Sequence, residues 1–139
     1  MDTVIIYRSF FGTTKRYAER LHEEIEADIY KHNQIDKQSL LKYDLVILCA
    51  GTYAGWISLS GYLKKHWSVL KDRKVILLII GAAPVDDPWS IRSYEKIPEQ
   101  IRQGIKYFKL PSKIDSQEAD KVRKGNLAPV IEYIKSITS

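Results

Sequence analysis

The sequence has little of the chemistry that holds metals or disulfides, because its 139 residues include one cysteine and three histidines. Cys49 alone cannot form an internal disulfide or a cysteine-based zinc site. The histidines, at positions 22, 32 and 66, share no metal-ligand spacing, so we expect no bound metal. Cys49 ends a buried apolar run and is expected to act as a small hydrophobe.

The sequence also lacks long apolar segments. No apolar run approaches the ~20 residues that span a bilayer. The N-terminus has no basic stretch followed by an apolar one, as a secretory leader would have. We therefore expect a cytoplasmic protein with at most peripheral membrane contact.

Acidic residues are the scarcer charged class, with 17 Asp and Glu against 22 Lys and Arg and a net charge of +5. A basic surface attracts acidic partners. The cations are scattered, however, and no RNP-like or zinc-finger pattern is present, so we expect no nucleic-acid binding. An anionic small molecule or a partner protein accounts for the charge equally well.

Apolar runs alternate with helical patterns throughout the chain, which predicts an α/β fold with a parallel sheet in a single domain, residues 1–139. The predicted strands are Thr3–Tyr7, Ala27–Lys31, Leu45–Cys49, Val75–Ile80 and Gly104–Leu110. Ser39–Lys42 is predicted to be a connector, and Pro88 and Pro98 to open helices. We expect a three-layer sandwich with strand order 2-1-3-4-5, which has a switch point between its first and third strands.

The stretch between the first strand and the first helix has the composition of a phosphate site. Ser9–Thr14 carries three hydroxyls and one glycine and leads into a helix with its apolar stripe at Tyr17, Leu21 and Ile25. The first N–H groups of a helix are unpaired, and the helix dipole favours an anion there. The alternative is that Thr13 or Thr14 simply caps the helix.

Two more loops follow strands three and four and should lie at the same sheet edge, where ligands bind in such folds. Ala50–Trp56 offers Tyr53 and Trp56 together with two glycines, Gly51 and Gly55, which suits a flat aromatic ligand. Gly81–Pro88 is small and contains proline, and its Asp86-Asp87 pair is expected to cap the next helix rather than border the ligand. A phosphate beside a planar heterocycle describes a mononucleotide, and flavin mononucleotide (FMN) fits best.

The chain resembles flavodoxins and flavodoxin-domain proteins over nearly its whole length. Ser9–Thr14 looks like their FMN phosphate loop, and Thr52–Gly55 looks like their loop after the third strand. Tyr107–Pro111, preceded by Ile97–Glu99, is similar to one bacterial branch that includes menaquinone-dependent protoporphyrinogen oxidases. The resemblance therefore implies a flavodoxin-like fold that binds FMN.

The resemblance also implies a set of cofactor-binding residues, with no catalytic residue and no metal ligand among them. The phosphate would be bound by Ser9, Phe10, Phe11, Gly12, Thr13 and Thr14. The isoalloxazine would be flanked on one side by Thr52, Tyr53, Ala54, Gly55 and Trp56, and on the other by Gly81, Ala82 and Ala83. In the family, a peptide of the second loop turns its carbonyl towards flavin N5 on reduction, and Gly55, or the peptide bond before it, is our candidate. Packing over the sheet edge is the alternative role for Tyr53 and Trp56.

The resemblance implies an electron carrier between redox partner proteins. The alternative is an FMN-dependent oxidoreductase that acts on a quinone or another small molecule, as protoporphyrinogen oxidases do. The short chain leaves little room for the long inserted loop expected in those oxidases, which favours the carrier slightly. Two other classes of phosphate-handling protein are excluded. A response regulator needs acidic residues at the positions where this chain has Tyr7-Arg8 and Cys49-Ala50. A low-molecular-weight phosphatase needs an arginine at the position of Gly55.

The basic charge departs from the acidic character of electron-carrier flavodoxins. Arg8, Lys15 and Arg16 flank the phosphate loop, and Phe10 and Phe11 take its variable positions, which are usually rich in Thr and Ser. Because reduced flavin can be an anion, we expect a basic surround to favour it. The protein should then have a less negative reduction potential than acidic flavodoxins.

Overall fold

The computed structural model describes residues 1–53, 55–114 and 117–138. Its strands are β1 (Thr3–Arg8), β2 (Asp28–Lys31), β3 (Leu45–Tyr53), β4 (Trp56–Ile57), β5 (Lys74–Gly81) and β6 (Ile105–Pro111). Its helices are α1 (Thr13–Glu24), α2 (Lys37–Leu40), α3 (Ser60–Leu70), α4 (Pro88–Glu95), α5 (Glu99–Arg102) and α6 (Ala119–Thr138). Helix and strand therefore alternate, as the hydrophobic pattern predicts.

Five of the strands form a parallel sheet in the order β2-β1-β3-β5-β6. This is the predicted 2-1-3-4-5 order, because β4 stands outside the path and pairs only with β3. The flavodoxin-like α/β fold is confirmed. Ser39 and Leu40 of the predicted connector instead belong to the short helix α2. Asp36 caps this helix by accepting a hydrogen bond from the Ser39 amide at 2.8 Å.

Side chains of successive strand residues enter two separate cores, one on each face of the sheet. In β5, Val75, Leu77 and Ile79 pack on the face covered by α2, α3 and α5. Ile76, Leu78 and Ile80 pack on the face covered by α1 and α6. Burial on both faces explains why the central strands are continuous apolar runs rather than alternating ones.

The first helix is fixed over the sheet by a buried tyrosine. Tyr17 donates its hydroxyl to the Pro111 carbonyl at 2.7 Å and accepts a hydrogen bond from Asn126 at 3.1 Å. Burial raises the pKa of Tyr17, so the hydroxyl stays protonated and keeps donating. These bonds join α1 to β6 and α6 and thereby position the loop that precedes α1.

Two further observations concern the described part of the chain only. No helix in it is long and apolar enough to cross a bilayer. It contains no group of three or more His, Cys, Asp or Glu residues placed to hold a metal ion. Cys49 is fully buried, and burial raises the pKa of its thiol to about 12.

Candidate functional site

The three loops singled out in the sequence meet at the carboxyl edge of the sheet. A cavity of about 350 Å³ is lined by residues from all of them. Its lining consists of Ser9, Phe11, Thr13, Thr14, Gly51, Thr52, Tyr53, Ile80, Gly81, Ala82, Ser112 and Lys113. The switch point between β1 and β3 therefore places the predicted phosphate loop beside both predicted ring-flanking loops.

The first loop ends in a glycine cap. Gly12 is the N-cap of α1, has φ +86°, and provides no side-chain capping bond. Thr13 and Thr14 are already the first two helical residues, so the alternative that one of them caps the helix is wrong. Ser9 instead closes the loop, because its Oγ accepts a hydrogen bond from the Gly12 amide at 3.1 Å.

The second loop is shorter than predicted. β3 runs on through Tyr53, and Thr52 and Tyr53 pair antiparallel with Ile57 and Trp56 of β4. The predicted seven-residue loop is thus mostly a hairpin of β3 and β4. Ala54, one of the predicted ring-flanking residues, lies outside the described residues. Gly55 has φ +80°, a conformation that side-chain-bearing residues rarely adopt.

Four aromatic residues, Phe10, Phe11, Tyr53 and Trp56, form an aromatic cluster between the first and second loops. The ring centroid of Tyr53 lies 4.5 Å from that of Phe10, 5.7 Å from that of Phe11 and 6.4 Å from that of Trp56. Phe11 is 82% exposed and Trp56 is 40% exposed. The cluster is therefore an open surface beside the cavity rather than part of the core.

Tyr53 also reaches into the phosphate loop. Its hydroxyl accepts a hydrogen bond from the Phe10 amide at 3.2 Å. A Cβ at Gly51 would lie 3.0 Å from this hydroxyl and 3.2 Å from Thr14 Oγ1. A side chain at position 51 would therefore be in tight contact with both hydroxyls, and the Tyr53 hydroxyl lies in the space between the first two loops.

The third loop approaches the second very closely at Gly81. A Cβ there would lie 2.3 Å from Thr52 Oγ1 and 3.0 Å from Lys109 Nζ. Ala82 lines the cavity described above, whereas Ala83 lines a neighbouring cavity of about 270 Å³. Asp87 caps α4 by accepting a hydrogen bond from the Trp89 amide at 2.9 Å, which confirms the predicted role for that residue.

Two lysines that the sequence analysis did not single out hold the carbonyls of these loops. Lys96 donates to the Gly55 carbonyl at 2.8 Å. Lys109 donates to the Ala83 carbonyl at 2.7 Å and to Ser90 Oγ at 3.0 Å. Burial lowers the pKa of Lys109, and the charge of Asp87 partly opposes that effect.

Comparisons with known proteins agree with this geometry. A family model described as a flavodoxin domain matches residues 4–134. The chain belongs to the flavodoxin family. No curated protein sequence matches it.

Solved structures of flavodoxin-like proteins share the fold. The flavodoxin of Streptococcus pneumonia TIGR4 is 14% identical, with a TM-score of 0.65 and coverage of 99% of this chain and 100% of that one. Oxidised flavodoxin 2 of Bacillus cereus is 18% identical, with a TM-score of 0.60 and coverage of 96% and 99%. A Lactobacillus acidophilus flavoprotein in complex with FMN is 16% identical, with a TM-score of 0.52 and coverage of 79% and 91%. The narrower resemblance to protoporphyrinogen oxidases stays a prediction.

The residues of this flavodoxin-domain chain fit a phosphate group at the first loop. The helix begins without a side-chain cap, so its first N–H groups face the loop region unpaired by any capping residue. Ser9, Thr13 and Thr14 line the same cavity. Arg8, by contrast, points to the other face of β1 and donates to the Ser58 carbonyl at 3.0 Å. Of the three cations expected beside the phosphate loop, Arg8 therefore does not line the cavity that the loop shares with residues 51–53 and Gly81.

Proposed function

We propose that this flavodoxin-family protein binds FMN at the junction of its three loops and carries electrons between redox partner proteins. FMN is the cofactor of the family. The observation that supports this site best is the single cavity of about 350 Å³ that all three loops line. Bound there, FMN would supply one- and two-electron chemistry, and the protein would supply the binding, the orientation and the local charge.

The first loop would hold the phosphate. Backbone N–H groups of Phe10, Phe11 and Gly12 and of the first helical turn, with the hydroxyls of Ser9, Thr13 and Thr14, would act as donors. Because two phenylalanines take the variable positions, backbone groups carry more of this role than in a Thr-rich loop. The exposed phenyl rings then remain free to meet the isoalloxazine or a partner.

The second and third loops would flank the isoalloxazine, with Thr52, Tyr53, Ala54, Gly55 and Trp56 on one side and Gly81, Ala82 and Ala83 on the other. Trp56 and Tyr53 provide open aromatic surface for stacking. Lys109 lies between these loops and lines the neighbouring cavity with Thr52, Gly55 and Ala83. Lys109 beside the second and third loops, and Lys113 in the lining of the flavin cavity itself, are the cations that would favour an anionic reduced flavin.

Exposed apolar side chains at the same edge support a protein partner. Phe10, Phe11, Trp56 and Trp89 are between 40% and 82% exposed. Exposed apolar groups gathered beside a site commonly mark protein contact. A surface of this kind suits a carrier that docks redox proteins better than an enzyme that encloses a small-molecule substrate.

The direct test is titration of the purified protein with FMN and, separately, with riboflavin, which lacks the phosphate. We expect a flavin absorption spectrum, one FMN per chain and much weaker riboflavin binding. Ser9→Ala with Thr14→Ala should weaken FMN binding while leaving riboflavin binding nearly unchanged. A colourless protein that takes up no FMN would overturn the proposal. Equal affinities for the two flavins would overturn the proposal that Ser9–Thr14 binds the FMN phosphate.

The carrier and the oxidoreductase differ in what reoxidises the flavin. We expect the reduced protein to pass electrons to a redox protein such as cytochrome c faster than to a water-soluble quinone. Multiple turnovers with the quinone or with a porphyrinogen, at rates above those of free FMN, would favour the oxidoreductase instead.

A further inference from the structure

A second set of polar residues lines a cavity of about 580 Å³ on the face of the sheet that α3 covers. It lies between the end of β1, the segment that follows β2, and the first two turns of α3. Its lining consists of Arg8, His32, Asn33, Ile35, Asp36, Lys37, Gly61, Tyr62, Lys65 and His66. A volume of this size is typical of sites for small organic molecules.

Buried polar atoms without partners are concentrated in this cavity. Five buried side-chain nitrogen or oxygen atoms among the described residues have no hydrogen-bond partner. Three of them, His32 Nδ1, Tyr62 Oη and His66 Nδ1, belong to residues that line it. His66 is only 8% exposed. Since buried polar groups are almost always paired, these three atoms leave hydrogen-bonding capacity in the cavity that a polar ligand can use.

The charge around these atoms is positive. Arg8, Lys37 and Lys65 line the cavity, and Asp36 is the one carboxylate among the lining residues. That carboxylate is already engaged in capping α2. Burial and neighbouring cations lower the pKa of both histidines, with Arg8 and Lys31 acting on His32, and Lys65 and Lys37 acting on His66. The surroundings therefore disfavour a further positive charge and favour an anion.

We propose that this cavity binds the phosphate or carboxylate group of a small organic anion. Lys37, Lys65 and the Arg8 guanidinium attract the anion, and Tyr62 and the two histidines complete its hydrogen bonds. Charge-assisted bonds of this kind are the stronger class in proteins. The proposal concerns residues outside the flavin loops and does not depend on FMN binding.

The site is adjacent to the proposed flavin site through one shared residue. The Arg8 guanidinium lies 5.1 Å from the ring centroid of Phe10 and 5.2 Å from that of Trp56. An anion held by Arg8 would weaken the attraction between this cation and the two rings. Binding of an anion in this cavity would therefore weaken the contact between Arg8 and the aromatic cluster.

The test uses the full-length protein, saturated with FMN where it binds, so that the flavin loops do not compete for the probe. Inorganic phosphate and acetate are each added at constant ionic strength to protein labelled in its histidine rings. We expect saturable shifts in the ring signals of His66 and His32. The anion that saturates at the lower concentration identifies the preferred group.

Lys65→Gln and Lys64→Gln are the matched variants. They make the same change of charge at adjacent exposed positions of α3, but only Lys65 lines the cavity. We expect Lys65→Gln to weaken anion binding about fivefold, as loss of one partly exposed charged contact would, and Lys64→Gln to leave it within about twofold. The absence of saturable shifts with both anions, or equal effects of the two variants, would overturn the proposal whether or not FMN binds.

Discussion

Removal of the Tyr53 hydroxyl should change stability and FMN affinity in opposite directions. In the structure this hydroxyl accepts the hydrogen bond of the Phe10 amide at 3.2 Å. That amide is one of the groups proposed to bind the phosphate, so the tyrosine hydroxyl and the phosphate compete for it. Tyr53→Phe removes the competitor and keeps the ring.

The expected size follows from the value of one hydrogen bond. A neutral intramolecular hydrogen bond contributes about 0.5–1.5 kcal/mol, and this exposed one belongs at the lower end. Tyr53→Phe should therefore lower the free energy of unfolding of the FMN-free protein by about 0.5–1 kcal/mol. Because the same bond no longer has to break, FMN should bind about two- to fivefold more tightly.

Tyr43→Phe is the matched control. It removes a tyrosine hydroxyl that donates to Asp28 at 2.6 Å, and it lies just before β3, at the opposite edge of the sheet from the loops. It should lower stability without changing FMN affinity. Chemical denaturation measures the first quantity and fluorescence titration of FMN measures the second. Weaker FMN binding by Tyr53→Phe would show that the hydroxyl serves the ligand and would refute the competition.

Three further changes test other parts of the structure. Gly81→Ala should destabilise the fold by about 1–3 kcal/mol in a denaturant melt, because the added methyl group would overpack against Thr52. Gly125→Ala is the matched change in open space, and it should stabilise α6 by about 0.5–1 kcal/mol. Lys109→Met should make the reduction potential of bound FMN more negative by tens of mV, where about 59 mV per electron corresponds to ~1.4 kcal/mol. The control, Lys106→Met on the same strand, should leave the potential unchanged. The free energy of unfolding should fall as the pH drops below about 6.5. Burial and nearby cations lower the pKa of His66 in the folded state, so the unfolded state binds more protons at that pH. His66→Gln should make the free energy of unfolding depend less on pH.

The sheet could be predicted from the sequence because its central strands can be recognised from their continuous apolar runs alone. Val75–Ile80 is apolar at every position, and a run that short and continuous fits only a strand buried on both faces. Once five such segments alternate with helices, right-handed connections leave few possible orders. The position of the three loops at one edge then follows from the topology alone.

The hairpin of β3 and β4 could not be predicted in the same way. β4 contains only Trp56 and Ile57, too few residues for a periodic pattern. Its pairing with Thr52 and Tyr53 depends on a turn in which Gly55 has positive φ. The two glycines of this segment indicated a turn but not that the strand would continue up to it.

Lys109 and the cavity at His66 depend on contacts between distant segments. Lys109 enters the site because β6 pairs with β5 in the register that sets it opposite Ile79. Neither hydrophobic pattern nor strand length determines that register. His32 and His66, far apart in the sequence, line the same cavity only in the folded chain. A lysine two residues before the end of an otherwise largely apolar strand is the one signal that would have drawn attention to position 109.

Two carbonyls of the loops proposed to flank the isoalloxazine accept hydrogen bonds from lysines of this chain. Lys96 binds the Gly55 carbonyl and Lys109 binds the Ala83 carbonyl, each at less than 3 Å. Hydrogen bonds from charged donors are stronger than neutral ones, so these two carbonyls are firmly positioned. The Tyr53 hydroxyl and Ser9 Oγ, in contrast, accept neutral hydrogen bonds from the Phe10 and Gly12 amides of the phosphate loop. FMN binding would therefore leave the two lysine contacts in place and compete for these neutral bonds, since their amide donors are among the groups proposed to bind the phosphate.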